Sequence, residues 1–142
     1  YFQNLLTKNS SIVLISSIAI KTILDDQPLS YHVTRSGIDQ MAKYYAIKLG
    51  SQGVRCNCIL PTKIIKPENK KFYLKKGNKI TKLVKTITPL SKMGTSEDVA
   101  NLVDFLTSKK STFLTGLTIP VDGGASLLSQ ESIANKIKKF ND

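Results

Sequence analysis

Apolar positions along the chain follow two alternating rhythms. Short contiguous runs rich in β-branched residues occupy positions 11–17 (SIVLISS) and 54–60 (VRCNCIL), the second stopped by Pro61. A third, LTIPVDGG, closes at Gly123 and Gly124. Runs of this length, apolar on both faces, predict strands buried in a parallel sheet, and Pro120 assigns part of the third to an edge or bulge. Between the first two runs, Ile38, Met41, Ala42, Tyr45, Ala46 and Leu49 recur at helical spacing, with Gly50 as the stop. Between the second and third, Thr95 stands as an N-cap before Glu97 and Asp98, and Val99, Leu102, Val103 and Leu106 share one face. Phe2, Leu5 and Leu6 also have helical spacing and read as the tail of a helix running into the first strand.

Strand, helix, strand, helix, strand is the order of an α/β domain with a parallel sheet and helices on its faces. Three strands make a small sheet for that class. The 142 residues are therefore expected to be a single domain or the larger part of one. The least patterned piece, residues 62–88, is expected to form two short helices around Gly77 or a lid, and residues 125–142 a C-terminal extension, read as a helix that contacts a neighbouring subunit.

A hydrophobic share of 41% suits a soluble globular protein. No run approaches the ~18 apolar residues of a membrane span, and no secretory signal pattern opens the chain. Neither a membrane nor secretion is implied, and a cytoplasmic location is the expectation. Cys56 and Cys58, two apart on a strand, share one face, too close in sequence to staple the fold. With no second Cys or His cluster they complete no zinc shell, so they read as reduced core residues and no metal is expected.

The net charge of +11 is uneven: nine lysines stand against one acid, Glu68, between Lys63 and Lys85. Such a field favours anionic partners. Only Phe72 and Tyr73 are available there to stack on bases and no recognition motif accompanies them, so nucleic acid is not the expected partner. Ser16 and Ser17 lack flanking glycines, which excludes the nucleophile elbow of a serine hydrolase. Tyr31 and Arg35 lie one helical turn apart and share a face. His32, the single histidine, points about a quarter-turn away and reads as surface or packing.

The segments IVLISS, YHVTRSGIDQMAKYYAIKLGSQGVRCNCILP and PLSKMGTSEDVANLVDFLTSKKSTFLTGLTIPVDGG, in that order, resemble the C-terminal half of a short-chain dehydrogenase/reductase, most strongly the 3-oxoacyl carrier-protein reductases. The enoyl-reductase branch differs: its tyrosine precedes the lysine by seven positions, and seven before Arg35 is Pro28. The resemblance implies a Rossmann-like doubly wound sheet whose N-terminal strands are absent from this chain. It implies an NAD- or NADP-dependent oxidoreductase acting on a small carbonyl or alcohol substrate, assembled as a homodimer or homotetramer. The lysine-rich lid suggests an anionic substrate. By motif position, Ser17, Tyr31 and Arg35 are the catalytic residues, and Tyr31, Arg35, Pro61, Thr62 and Ile64 face the cofactor. In this chemistry the tyrosine gives a proton to the carbonyl oxygen and the serine hydroxyl orients it. A free phenol ionises near pH ~10, so a neighbouring cation is needed to favour its anion.

Three positions depart from the family. Arg35, a planar fork, holds the seat of a lysine. Thr62 stands for a glycine that admits close backbone approach, and Lys66 for a threonine. The glycine-rich pyrophosphate turn and the acidic or basic ribose reader are not found in these residues. A family-derived protein that binds without catalysing is the competing expectation.

Overall fold

A computed structural model of the chain describes residues 5–141. Three parallel strands, β1 (Ser11–Ile15), β2 (Arg55–Pro61) and β5 (Thr118–Val121), form a sheet in the order β1, β2, β5. Ile12 lies opposite Cys56, and Leu60 opposite Pro120. β5 therefore occupies an edge among the described strands, where the missing N–H of Pro120 costs no second ladder bond. A separate parallel pair joins β3 (Ile64–Ile65) to β4 (Gly94–Thr95).

β2 is the centre of the molecule, buried from Arg55 to Leu60. Side chains alternate across a strand, so Cys56, Cys58 and Leu60 face one layer and Arg55, Asn57 and Ile59 the other. The first set packs with Ala42 and Ala46 of α1 (Leu29–Gly50). Two alanines let the helix backbone settle close to the sheet. Burial pushes both thiols up to about 11, so they stay protonated, as expected of core residues.

On the opposite face lies α4 (Ser96–Thr107). Thr95 and Asp98 close a reciprocal capping box at its start. Its C-terminus receives a buried cation: Arg55 donates to the Leu106 carbonyl at 2.6 Å, the Ser108 carbonyl at 3.3 Å and the Ser111 hydroxyl at 3.0 Å. The carbonyls at the helix end, with their partial negative charge, thus replace a carboxylate partner.

α1 does not stop before Gly50, as its sequence suggests, but includes it. Ser51 continues in right-handed geometry, and the left-handed residue is Gly53, with φ of 76°. The Gly53 N–H then bonds the Gly50 carbonyl at 2.9 Å, which turns the chain into β2. The helix tail expected from Phe2 begins outside the described residues.

The lysine-rich segment forms two helices, α2 (Lys70–Leu74) and α3 (Lys79–Ile87), on either side of Gly77. Residues beyond the Gly124 turn form α5 (Gln130–Asn141), which packs on α3. No helix among the described residues is long and apolar enough to cross a membrane.

Candidate active site

Parallel sheets place their ligand crevice at the carboxyl ends of the strands. Here the ends of β1 and β2 open onto a cleft of about 520 Å³ lined by Ser17, Tyr31, Arg35, Pro61, Thr62 and Ile64. All six residues singled out from the sequence therefore meet in one cavity, although they come from three separate stretches of chain. Lys66 lines it as well, together with Leu24, Asp26 and Gln27, which no sequence signal marked.

Ser17 caps a short turn at Ile18–Ile20, and its oxygen accepts the Ala19 N–H at 3.2 Å. A hydroxyl used as an acceptor still has its proton to give. The side chain is nearly buried, so that proton has few competing water partners.

Tyr31 and Arg35 sit on the first two turns of α1. The guanidinium carbon lies over the tyrosine ring, 4.8 Å from its centroid, and a terminal nitrogen stands 3.5 Å from the Ile15 carbonyl. Arg35 thus delivers its charge through the ring face, leaning back on the end of β1.

Three residues hold this geometry. Ser16, buried, donates its hydroxyl proton to the Arg35 carbonyl at 2.7 Å and pins α1 to the end of β1. His32 is buried rather than on the surface: its Nε2 accepts the Leu24 N–H at 3.0 Å, and Nδ1 contacts the Pro28 carbonyl at 3.1 Å. Both contacts are satisfied by a neutral ring carrying its proton on Nδ1, which ties the loop bearing Leu24, Asp26 and Gln27 to α1. Asp39, buried, accepts from Lys43 at 2.6 Å and from the Thr118 hydroxyl, linking α1 to β5. Burial raises the Asp39 carboxyl, and the hydrogen bonds from Lys43 and Thr118 outweigh this and hold it below its ordinary value. The adjacent serines were visible in the sequence. The partners of Ser16, of His32 at Leu24 and of Asp39 at Thr118 were not, because each of these bonds joins residues of different elements or a loop to a helix.

A family model described as enoyl-(acyl carrier protein) reductase matches residues 1–126. The (3R)-3-hydroxyacyl-CoA dehydrogenase of Rattus norvegicus is 38% identical over 114 residues, which cover 80% of this chain and 42% of that protein. The chain thus spans about two fifths of the length of the curated relatives it matches. Among solved structures, a short-chain oxidoreductase from Burkholderia thailandensis superposes with a TM-score of 0.73 at 28% identity, covering 91% of this chain and 49% of that one. A 3-oxoacyl-[acyl-carrier protein] reductase from Brucella melitensis, solved with NAD bound, gives 0.66 at 31% identity, covering 83% and 41%. With its order of motifs, its parallel sheet and this match over most of its length, the chain belongs to the short-chain dehydrogenase/reductase family.

Proposed function

We propose that the chain carries the substrate and nicotinamide end of an NAD(P)-dependent oxidoreductase that interconverts a carbonyl and a hydroxyl group. The observation that carries this reading is the convergence of Ser17, Tyr31 and Arg35 with Pro61, Thr62 and Ile64 in one cleft. The residues fit a nicotinamide ribose. Pro61, Thr62 and Ile64 offer a half-buried wall of backbone, one hydroxyl and apolar side chains, and Arg35 brings donors and positive charge. Tyr31, Arg35, Pro61, Thr62 and Ile64 would hold that group, which when bound supplies or accepts the hydride.

Tyr31 gives its phenol proton to the carbonyl oxygen in the reducing direction and takes the hydroxyl proton in the other. Ser17, whose oxygen is already engaged by the Ala19 N–H, donates to the same oxygen and fixes its lone pairs. Arg35 stabilises the phenolate through the ring it covers. A lysine would instead present a point charge at the end of a flexible stem. Lys63 and Lys66, which line the cleft ahead of α2, favour an anionic group on the substrate.

The test is oxidation of NADH or NADPH by the full-length protein with a panel of ketones and acyl thioesters. Tyr31→Phe should lower kcat by about 10² to 10⁴, while Arg35→Lys retains or raises it. Equal rates in all three proteins would remove the pair from the mechanism. A second, non-catalytic reading draws on the Arg35 guanidinium lying over the ring and against the Ile15 carbonyl. Absence of both turnover and NAD(P)H binding would favour it.

A further inference from the structure

The charge of the molecule is concentrated in one place. Residues 63–85 carry nine lysines and one acid, and residues 130–141 carry three lysines and one acid, so these two segments hold nearly all of the net +11. They are joined in space, since α2 leads into α3 and α5 packs on α3. Among the described residues, the one ion pair within them joins Lys66 to Glu68 at 3.9 Å. Lys75, Lys82 and Lys85 line a surface depression of about 280 Å³ together with Tyr73, Leu74 and Asn78.

Two side chains fix the corner that bears this depression. Asn78 donates to the Phe72 carbonyl at 2.8 Å and caps α3 by accepting the Thr81 N–H at 2.9 Å, and the buried Thr81 hydroxyl donates to the Tyr73 carbonyl at 2.7 Å. Phe72 and Leu74 are held there 53% and 58% exposed, with Lys70 and Lys71 before them and Lys75 and Lys76 after. A solvated face has no use for apolar side chains presented among its charges. The kind of charge narrows the partner. Neither segment contains arginine, so the planar fork that reads phosphates and bases bidentately is missing. Tyr73 packs edge-on against Phe72, with 5.0 Å between ring centroids, and Leu74 offers no face on which a base could stack. Interfaces between proteins also favour arginine over lysine. Point charges around exposed apolar side chains suit instead a diffuse negative surface with hydrocarbon beneath it.

We propose that α2, the turn at Gly77 and α3 form a docking face for an anionic lipid bilayer. The lysines meet headgroup phosphates, Phe72 and Leu74 enter the boundary between headgroups and acyl chains, and the lysines of α5 add to the field. The contact is peripheral and needs no helix that crosses a membrane, and none occurs among the described residues. It does not rest on the oxidoreductase reading.

The test is co-sedimentation of the full-length protein with vesicles of phosphatidylcholine, alone or with about 30% phosphatidylglycerol, in about 0.1 M and ~0.5 M salt. Binding is expected to the anionic vesicles only and should weaken at the higher salt. Lys75→Gln, Lys82→Gln and Lys85→Gln, all at exposed positions, should each lower the affinity about fivefold, the ratio equivalent to about 1 kcal/mol per lysine at such a surface. Phe72→Ser combined with Leu74→Ser should lower it roughly tenfold at unchanged net charge. A circular dichroism spectrum matching the parent shows that a variant is folded. Equal binding to both vesicle types, binding that survives in the triple lysine variant, or binding indifferent to the two serine substitutions would overturn the proposal. So would no binding at all, or tighter binding to a single-stranded oligonucleotide than to the anionic vesicles at the same salt, which would assign the face to nucleic acid.

Discussion

The β1, α1, β2 unit and the paired helices α3 and α5 differ in what holds them. In the first, Ala42, Cys56, Cys58 and Leu60 are fully buried and β2 is covered on both faces. In α3 the one buried residue is Thr81, and α5 has none among its described side chains. The helix pair is joined instead by part-buried contacts. Lys136 donates to the Thr86 carbonyl at 3.3 Å, and the Lys82 ammonium lies 4.8 Å from the Phe140 ring centroid. Each such contact is worth about 0.5–1.5 kcal/mol. Close packing fixes the strands and helix that wall the cleft, while weaker ties hold α3 and α5. The difference separates rigid positioning from a more loosely held periphery.

The sharpest way to break this comparison is to damage each region by one residue. Leu106→Ala opens a cavity under α4 at a fully buried site and should cost about 2–5 kcal/mol in global unfolding, read by urea denaturation. If the loss fell below about 1 kcal/mol, the sheet would not be the stable part of the molecule. Gly123→Ala strikes the helix pair at its hinge. Gly123 has φ of 62°, and an added Cβ would stand 2.7 Å from the Thr88 side chain at the end of α3. A cost of about 1–2 kcal/mol is expected. It should appear as faster amide exchange in α3 and α5 with β2 little changed; equal acceleration in β2 would show one cooperative unit.

Acid offers the smallest and most selective probe. Asp39, Asp98 and Asp122 all have carboxyls held below their ordinary value of 3.8. For Asp98 the cause is hydrogen bonding from Thr95. For Asp122, burial raises the carboxyl, and bonds from Ser126 and Gly124 overcome it. A carboxyl with a depressed folded pKa stabilises fully above its unfolded value, and that contribution fades as pH falls through the folded one. Stability should therefore be flat above 3.8 and decline below it. Asp39→Asn should lower the neutral-pH stability and flatten the decline. An unchanged slope would show that the link from Asp39 to Thr118 contributes nothing.

Much of the fold was readable in advance because periodicity reports burial directly. The three apolar runs became the three strands, Thr95 capped its helix, and the cysteines were core residues. The spacing of Tyr31 and Arg35 was legible for a similar reason: one helical turn is a local geometry. Arg55 was not legible. A charged residue inside an apolar run gives no hint that the end of α4 and the turn after it supply three acceptors. For His32, read as surface or packing, the structure decides for packing, and its partners were not legible, being two positions before the helix set by the fold. Gly50 misled because a glycine after a helical pattern resembles a stop, whereas the turn needed its left-handed residue three positions later.

The sequence by itself determined the three main strands, α1 and α4 and their parallel order, since local periodicity encodes each, while Ser17, Tyr31 and Arg35 were marked by the resemblance to the family. Only the tertiary structure decided that Arg35 stacks on the ring and leans on the end of β1, and that α5 folds back on α3. Those depend on residues far apart in the chain meeting at one place, and packing, unlike periodicity, has no local signature.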